Sequence, residues 1–144
     1  MYFIFGKRLF DIIFSLITLG IFFLLLLIIG ILIKLSDKGA IIFCQKRVGA
    51  NEKIFDLYKF RSMPINTPNL SSDKIKKVHL NWIGKFIRRT NIDELPQLLN
   101  ILKGDMSLVG PRPALPAQKN LIDLRRKNKI FSLKPGLTGI AQIS

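Results

Sequence analysis

The sequence predicts an α/β domain that is mostly helical, with one small β-hairpin, carried on a single N-terminal membrane helix. Three observations support this fold class. Residues 12–33 form an uncharged apolar run, two β-branched and aromatic segments follow it, and later stretches place apolar residues at helical spacing. A chain of 144 residues has room for one membrane element and one compact domain, which we expect at residues 1–38 and 39–144.

The apolar run is long enough to cross a bilayer as a helix. At about 1.5 Å of rise per residue, residues 12–33 match a hydrocarbon core of about 30 Å. Lys7 and Arg8 precede the run and Lys34 and Lys38 follow it, so positive charge flanks both ends. The residues alone leave two topologies open, a straight span and a re-entrant helix with both ends on one side.

The net charge and the hydrophobic content of the chain indicate which kinds of partner it can bind. Lys and Arg number 23 against 9 Asp and Glu, a net charge of +14, although 49% of residues are hydrophobic. A chain so basic and so apolar favours an anionic membrane face or phosphate-bearing ligands over nucleic acid. The single cysteine, Cys44, and the single histidine, His79, exclude an intrachain disulfide and a Cys/His metal cluster. We interpret His79 as an ordinary surface or core residue.

The domain begins with a predicted hairpin and continues with three predicted helices. Residues 41–43 and 54–60 read as strands separated by a turn at residues 49–52. Residues 82–89 place aromatic and aliphatic side chains on one face and cations on the other, which predicts an amphipathic helix. Leucines at helical spacing predict a helix over residues 95–102, with Thr90 and Asp93 as its capping residues. Residues 117–127 form the last predicted helix.

Asp93 and Glu94 are adjacent carboxylates at a predicted helix start. The ordinary interpretation is that acids in a first turn complement the helix dipole, by about 0.3–1 kcal/mol. Their surroundings favour a second interpretation, because the nearby loops and element ends are rich in cations that suit a diphosphate. Those cations are Lys59, Arg61, Arg88, Arg89, Lys103 and Arg112. Mg²⁺ accepts one or two carboxylates together with substrate phosphate, so an acidic pair of this kind also suits that metal.

Six sequence blocks resemble the bacterial sugar transferases, the small monotopic phosphoglycosyl transferases. The blocks occur in the family's order and cover nearly the whole chain. They are Lys7-Arg8-Leu9-Phe10-Asp11, Phe43-Cys44-Gln45-Lys46-Arg47-Val48-Gly49, Tyr58-Lys59-Phe60-Arg61-Ser62-Met63, Asp93-Glu94-Leu95-Pro96-Gln97-Leu98-Leu99-Asn100, Lys103-Gly104-Asp105-Met106-Ser107-Leu108-Val109-Gly110-Pro111-Arg112-Pro113 and Pro135-Gly136-Leu137-Thr138-Gly139-Ile140-Ala141-Gln142.

The resemblance implies transfer of a sugar 1-phosphate from a UDP-sugar to polyprenyl phosphate, the first membrane step of polysaccharide or glycoconjugate biosynthesis. It implies that Asp93 is the nucleophile and a ligand of Mg²⁺, and that Glu94 assists it. The same resemblance implies a location on the cytosolic face of the bacterial inner membrane. The remaining implied roles are phosphate binding by Lys59, Arg61, Arg88 and Arg112, and contact with the membrane interface by Lys7, Arg8 and Asp11.

Two departures from the family pattern bear on these expectations. The family's membrane helix usually bends at a Ser-Pro pair, and the corresponding residues here are Phe23 and Leu24. We nevertheless expect a re-entrant helix, because the catalytic domain has to meet its lipid substrate at a fixed depth. Family members also commonly continue beyond the last block, so we expect that a C-terminal part of the domain is missing.

Two other functions remain open from the sequence. A truncated, inactive member of the family would act as a membrane interaction protein. A membrane-tethered nucleic-acid binder would fit the net charge, but it needs aromatic stacking positions among the basic residues, and Tyr58 and Phe60 are weak evidence for these.

Overall fold

The computed structural model describes residues 2–36, 38–64 and 80–139. Four helices and four short strands occur in these ranges, and the predicted mostly helical fold with small sheets is confirmed. His79 lies outside the described residues. The elements in chain order are α1 (Tyr2–Ser36), β1 (Ile42–Val48), β2 (Ile54–Phe60), α2 (Trp82–Arg89), α3 (Gln97–Lys103), β3 (Ser107–Val109), α4 (Lys119–Lys127) and β4 (Gly136–Thr138).

The first strand of the hairpin, β1, is longer than predicted. β1 and β2 pair antiparallel from Ile42 opposite Phe60 to Val48 opposite Ile54. The prediction placed the first strand only over the apolar residues 41–43, whereas charged and polar residues continue it to Val48. Within the sheet these side chains alternate between the two faces, and Lys46 pairs with Asp56 at 2.9 Å across the strands.

A second, smaller sheet lies next to the hairpin. β3 and β4 pair in parallel, with Ser107 opposite Gly136. A Cβ atom at Gly136 would overlap the backbone of Gly110, so this close approach requires glycine.

Asn100 joins helix α3 to the outer edge of strand β2. Its side chain is fully buried; Oδ1 accepts a hydrogen bond from the Tyr58 N–H at 3.0 Å, and Nδ2 donates to the Asp56 carbonyl at 2.7 Å. The amide thus occupies the place of a neighbouring strand and satisfies two backbone groups that an edge would leave unpaired. It fixes the position of α3 along the hairpin.

The connection from α2 to α3 differs from the predicted capping arrangement. Thr90 ends α2, because its hydroxyl donates back to the Phe86 carbonyl at 2.9 Å. Asn91 then adopts the left-handed conformation with φ of 55°, which reverses the chain. Asp93 and Glu94 follow in a short 3₁₀ turn, Ile92–Glu94, before α3 begins. The prediction that Thr90 caps the next helix is therefore wrong.

Helix α1 is long and apolar enough to cross a membrane, by length and composition. It also forms part of the domain core along one stripe of its surface. Ile29 and Ile33 pack with Phe60, Ile83 and Ile87 in one buried cluster. Closer to the N-terminus, Leu19 packs against a second cluster, made of Leu57, Leu98, Ile101, Met106 and Leu108. The remaining faces of α1 expose large apolar side chains.

The first turns of α1 are bonded to the domain through polar groups. Arg8 donates to the carbonyls of Ile101 at 2.6 Å and Leu102 at 2.9 Å, where a cation complements the C-terminal end of α3. Asp11 is buried and accepts from the Ser107 hydroxyl at 2.7 Å. These bonds fix the start of α1 against the domain.

Lys7 completes this seam, which we define as the contacts of Lys7, Arg8 and Asp11 with residues 101–109. Lys7 donates to the Ser107 hydroxyl and lies 3.5 Å from the Asp11 carboxylate. The predicted location of these three residues at the membrane interface stays a prediction. What the structure adds is that each of them has a partner within the domain.

The Asn100 contact predicts a large loss of stability on truncation. Asn100→Ala leaves the Tyr58 N–H and the Asp56 carbonyl without their partner, and each buried unsatisfied group costs about 1–3 kcal/mol. We expect the free energy of unfolding in lipid nanodiscs to fall by at least about 2 kcal/mol. The exposed Asn120 on α4 provides a matched control, for which replacement by Ala changes stability by about 0.5 kcal/mol or less. Equal stability of the two variants would contradict the assigned role of Asn100.

Candidate active site

The acidic pair predicted from the sequence lies where the turn before α3 meets strand β2. Lys59 of β2 forms an ion pair with Glu94, with 2.6 Å between Nζ and Oε1, and both side chains are mostly buried. Asp93 is 8% exposed. Within residues 2–36, 38–64 and 80–139, no cation lies within 4 Å of the Asp93 carboxylate. Glu94 is therefore engaged by Lys59, whereas Asp93 retains a carboxylate without an ion-pair partner.

The environment of Asp93 favours its neutral form more than water does. Burial raises the pKa of the Asp93 carboxyl above its ordinary value, and the charge of Glu94 raises it further. Lys59 and Arg88 oppose this effect, because their positive charges lower the same pKa. A desolvated carboxylate that feels the charges of two nearby cations is well suited to approach an anionic phosphate.

A polar cleft opens beside the Lys59–Glu94 pair. Gln97 of α3 and Arg112 of the loop after β3 contribute side chains to it, and Gly136 and Leu137 of β4 close one side. Arg47 of β1 completes the polar lining. Three cations and one carboxylate thus face the same space, which gives the cleft a net positive charge suited to phosphate esters.

Arg47 is held in place by two other residues. Gln45 Oε1 accepts from its Nη2 at 2.6 Å and from its Nε at 3.2 Å, and the Pro113 carbonyl accepts from Nη1 at 2.9 Å. Burial lowers the pKa of Arg47 to about 10, and the nearby charge of Arg112 contributes to this shift. The guanidinium still carries its charge at neutral pH.

The predicted phosphate-binding residues are only partly brought together. Lys59 and Arg112 line the cleft, and Arg88 lies close enough to Asp93 to lower its pKa. Arg61 is not among the residues that line the cleft, and its backbone N–H donates to the Ile41 carbonyl at the open end of the hairpin. Phosphate binding stays a prediction for all four residues.

Arg47 and Gln97 were missed as site residues. Arg47 lies beyond the point where the predicted first strand ended. If the predicted strand had been extended to Val48, the alternation of side chains along it would have placed Gln45 and Arg47 on one face. That face is shared with Leu57 and Lys59 of the paired strand. Gln97 carried no signal of its own, because a glutamine in the first turn of a helix is ordinary.

The described part of the chain contains no cluster of three or more His, Cys, Asp or Glu side chains. The described residues around the acidic pair therefore offer no all-protein cage for a metal. Mg²⁺ does fit, because it commonly binds through one or two carboxylates and completes its shell with water and substrate phosphate. Asp93 is the carboxylate available for it, since Glu94 is paired with Lys59.

Comparison with known proteins identifies the family. The model of the bacterial sugar transferase family matches residues 2–144. An undecaprenyl-phosphate glucose phosphotransferase of Komagataeibacter xylinus is 39% identical over 96% of this chain and 27% of its own length. A UDP-N-acetylgalactosamine-undecaprenyl-phosphate N-acetylgalactosaminephosphotransferase of Aeromonas hydrophila is 39% identical over 96% of this chain and 34% of its own length.

A third relative is closer in length to this chain than the first two. The exopolysaccharide production protein PSS of Rhizobium leguminosarum bv. phaseoli is 39% identical over 95% of this chain and 72% of its own length. The chain thus spans about a quarter to a third of the first two relatives and most of the third. With a family match that covers almost every residue, the chain belongs to the bacterial sugar transferase family.

Proposed function

We propose that this chain transfers a sugar 1-phosphate from a UDP-sugar to polyprenyl phosphate and releases UMP, through a covalent aspartyl intermediate. The observation that carries the proposal is the buried Asp93 carboxylate, which has no ion-pair partner among the described residues and directly precedes Glu94, a residue that lines the cationic cleft. The names of two relatives support the reaction, since both are described as undecaprenyl-phosphate sugar phosphotransferases. These two names differ in the sugar, so the donor sugar is left unspecified.

The two carboxylates have different roles in this proposal. Glu94 is paired with Lys59 at 2.6 Å, so it holds the lysine ammonium beside Asp93 and is not itself free to attack. Asp93 is the nucleophile, because its carboxylate is desolvated and its nearest cations act at longer range. Arg88 and Lys59 offset the repulsion between the attacking carboxylate and the diphosphate.

The reaction has two balanced half-reactions. In the first, an Asp93 oxygen attacks the β-phosphorus of the UDP-sugar, the bond from this phosphorus to the bridging oxygen breaks, and UMP leaves with the electron pair. In the second, an oxygen of polyprenyl phosphate attacks the same phosphorus and the bond to Asp93 breaks. The carboxylate is regenerated, and the sugar is left on a polyprenyl diphosphate.

Mg²⁺ is part of the proposal, with Asp93 as its protein ligand. When bound, it would screen the negative charges of the carboxylate and the diphosphate from each other. The side chains of Lys59, Arg88 and Arg112 contribute fixed positive charge to the same task.

We further propose that α1 is re-entrant and that the domain lies on the cytosolic face of the bacterial inner membrane. Support comes from the contacts at the two ends of the helix. Arg8 and Asp11 bond to residues of α3 and β3, and Ile29 and Ile33 pack in the core with β2 and α2. These contacts hold both ends of α1, one continuous helix, against the same domain, whereas a straight span would separate the two ends by the bilayer.

The nucleophile assignment predicts covalent labelling. Incubation of the protein in nanodiscs with a UDP-sugar labelled in the sugar, without acceptor, should leave label on the chain. Asp93→Asn should abolish this label and reduce UMP release by at least about a thousandfold, because the attacking oxygen is lost. The exposed Asp123 serves as the matched control, and Asp123→Asn should label like the wild type.

Two results of the same assay would contradict the proposal. Label that persists on Asp93→Asn would exclude Asp93 as the nucleophile. Label that forms equally well in excess chelator would remove Mg²⁺ from the reaction, since we expect labelling to stop with chelator and to return when Mg²⁺ is restored.

The raised pKa of Asp93 predicts how the rate of UMP release falls at acid pH. The attacking species is the carboxylate, so UMP release in the first half-reaction is lost as the pH falls through this pKa, above the ordinary value of about 4. Glu94→Gln removes a charge that raises the pKa and should move the acid limb to lower pH. Lys59→Gln removes a charge that lowers it and should move the limb to higher pH. Shifts in the same direction for both variants would contradict the assignment of the limb to Asp93.

The re-entrant topology predicts that the start of α1 and the domain are on the same side of the membrane. A cysteine at Tyr2, in a Cys44→Ser background, is exposed to a membrane-impermeant thiol reagent on intact cells and after lysis. The wild-type chain, which keeps the exposed thiol of Cys44 on β1, is assayed in parallel and reports the side of the domain. We expect both thiols to react only after lysis. Labelling of the Tyr2 position on intact cells, with Cys44 protected, would show a spanning helix.

A further inference from the structure

Among the cations that line the cleft, Arg47 makes the most side-chain hydrogen bonds to described residues. Gln45 accepts from Nε and Nη2, and the Pro113 carbonyl accepts from Nη1, so the side chain is fixed from two directions. An arginine has five N–H donors, and these contacts use three of them. Two N–H donors of Arg47 therefore have no partner among the residues that the structure describes.

Arg47 also forms no ion pair with a carboxylate of the described residues, although the charge of Glu94 acts on it at longer range. Lys59 already takes the Glu94 carboxylate, and the described ranges place no carboxylate within 4 Å of either Arg47 or Arg112. The two guanidiniums line the same cleft and repel each other. Since Pro113 directly follows Arg112 and its carbonyl holds Arg47, the two side chains are tied to one loop. An anion bound between them would relieve their repulsion.

We propose that Arg47 and Arg112 form a phosphate subsite that binds the nucleotide phosphate, in the donor and in the UMP that leaves. This inference rests on the proposed function and adds the residue that receives the leaving group. As the phosphorus–oxygen bond breaks, negative charge develops on the oxygens of the nucleotide phosphate. A guanidinium held in place can donate two parallel hydrogen bonds to two of these oxygens. Gln45 is a positioning residue, because it acts on the phosphate only through Arg47.

The acceptor lipid also carries a phosphate, so the same guanidinium chemistry suits two ligands. Ile41, just before β1, packs on the cluster that contains Ile29 and Ile33 of α1. From Ile41 to Arg47 the strand extends by roughly 20 Å, at about 3.3 Å per residue. The subsite therefore lies at the turn end of the hairpin, and the titrations below distinguish the nucleotide phosphate from the acceptor phosphate.

The test compares UMP with uridine on the full chain in nanodiscs by isothermal titration. The ratio of the two dissociation constants measures the contribution of the phosphate alone. Arg47→Gln should weaken UMP binding by about tenfold or more and leave uridine binding unchanged, because charge-assisted hydrogen bonds are lost. Arg47→Lys retains the charge without the fork and should recover only part of the loss. Gln45→Ala should weaken UMP binding to an intermediate degree.

Lys46→Gln is the matched control. Like Arg47→Gln, it removes one positive charge, but at the neighbouring position of β1. The Lys46 side chain lies on the opposite face of the strand and pairs with Asp56. We expect it to leave UMP binding within about twofold of the wild type. A water-soluble short-chain prenyl phosphate is titrated in parallel, and its affinity should be the same for Arg47→Gln and the wild type.

Each other outcome overturns the inference in a distinguishable way. Unchanged UMP binding by Arg47→Gln would remove Arg47 from the subsite and leave the proposed function standing. Weakened prenyl phosphate binding with unchanged UMP binding would assign the subsite to the acceptor. A wild-type chain that binds neither UMP nor UDP-sugar would overturn the subsite and the proposed function together.

Discussion

The outer edge of strand β2 imposes the constraint on which the site depends. Its backbone groups at Asp56 and Tyr58 face away from β1 and need partners, which Asn100 supplies from within α3. Lys59 is the next residue along the strand, and Glu94 lies in the turn that leads into α3. The hydrogen bonds of Asn100 to the edge of β2 therefore align α3 with the strand. This alignment places Glu94 at 2.6 Å from Lys59 and fixes the position of Asp93.

Helix α1 also contacts the elements that position the site. Its buried stripe joins both core clusters, and Arg8 lies at the C-terminal end of α3, opposite the end that carries the acidic turn. The polar seam at the start of α1 also reaches β3, whose partner strand β4 borders the cleft. A change in how α1 packs against the domain would thus act on both elements that hold the site.

Local patterns in the sequence predicted what depends on local physics. Strand β2 and helix α2 occur where periodicity of two and of 3.6 placed them, and the acidic pair lies at a helix start as expected. Interactions between distant residues were not predictable in this way. Thr90 had an alternative partner in its own helix, Arg47 needed the full length of β1, and Asp11 pairs with Ser107, 96 residues away. Spacing along the chain carries no signal for such contacts.

The buried Asp11 has a consequence for how the protein is made. The helix leaves the ribosome first, while the hydroxyl that bonds to Asp11 belongs to a residue 96 positions later in the chain. At about 5–20 residues per second, this interval lasts about 5–20 s. During that time the carboxylate has neither its serine nor the backbone N–H of Leu108, so deep insertion of the helix start is costly. In the re-entrant topology proposed above, water or the headgroup region would hold this carboxylate until the domain folds, and the start of α1 would stay on the side where it was synthesised.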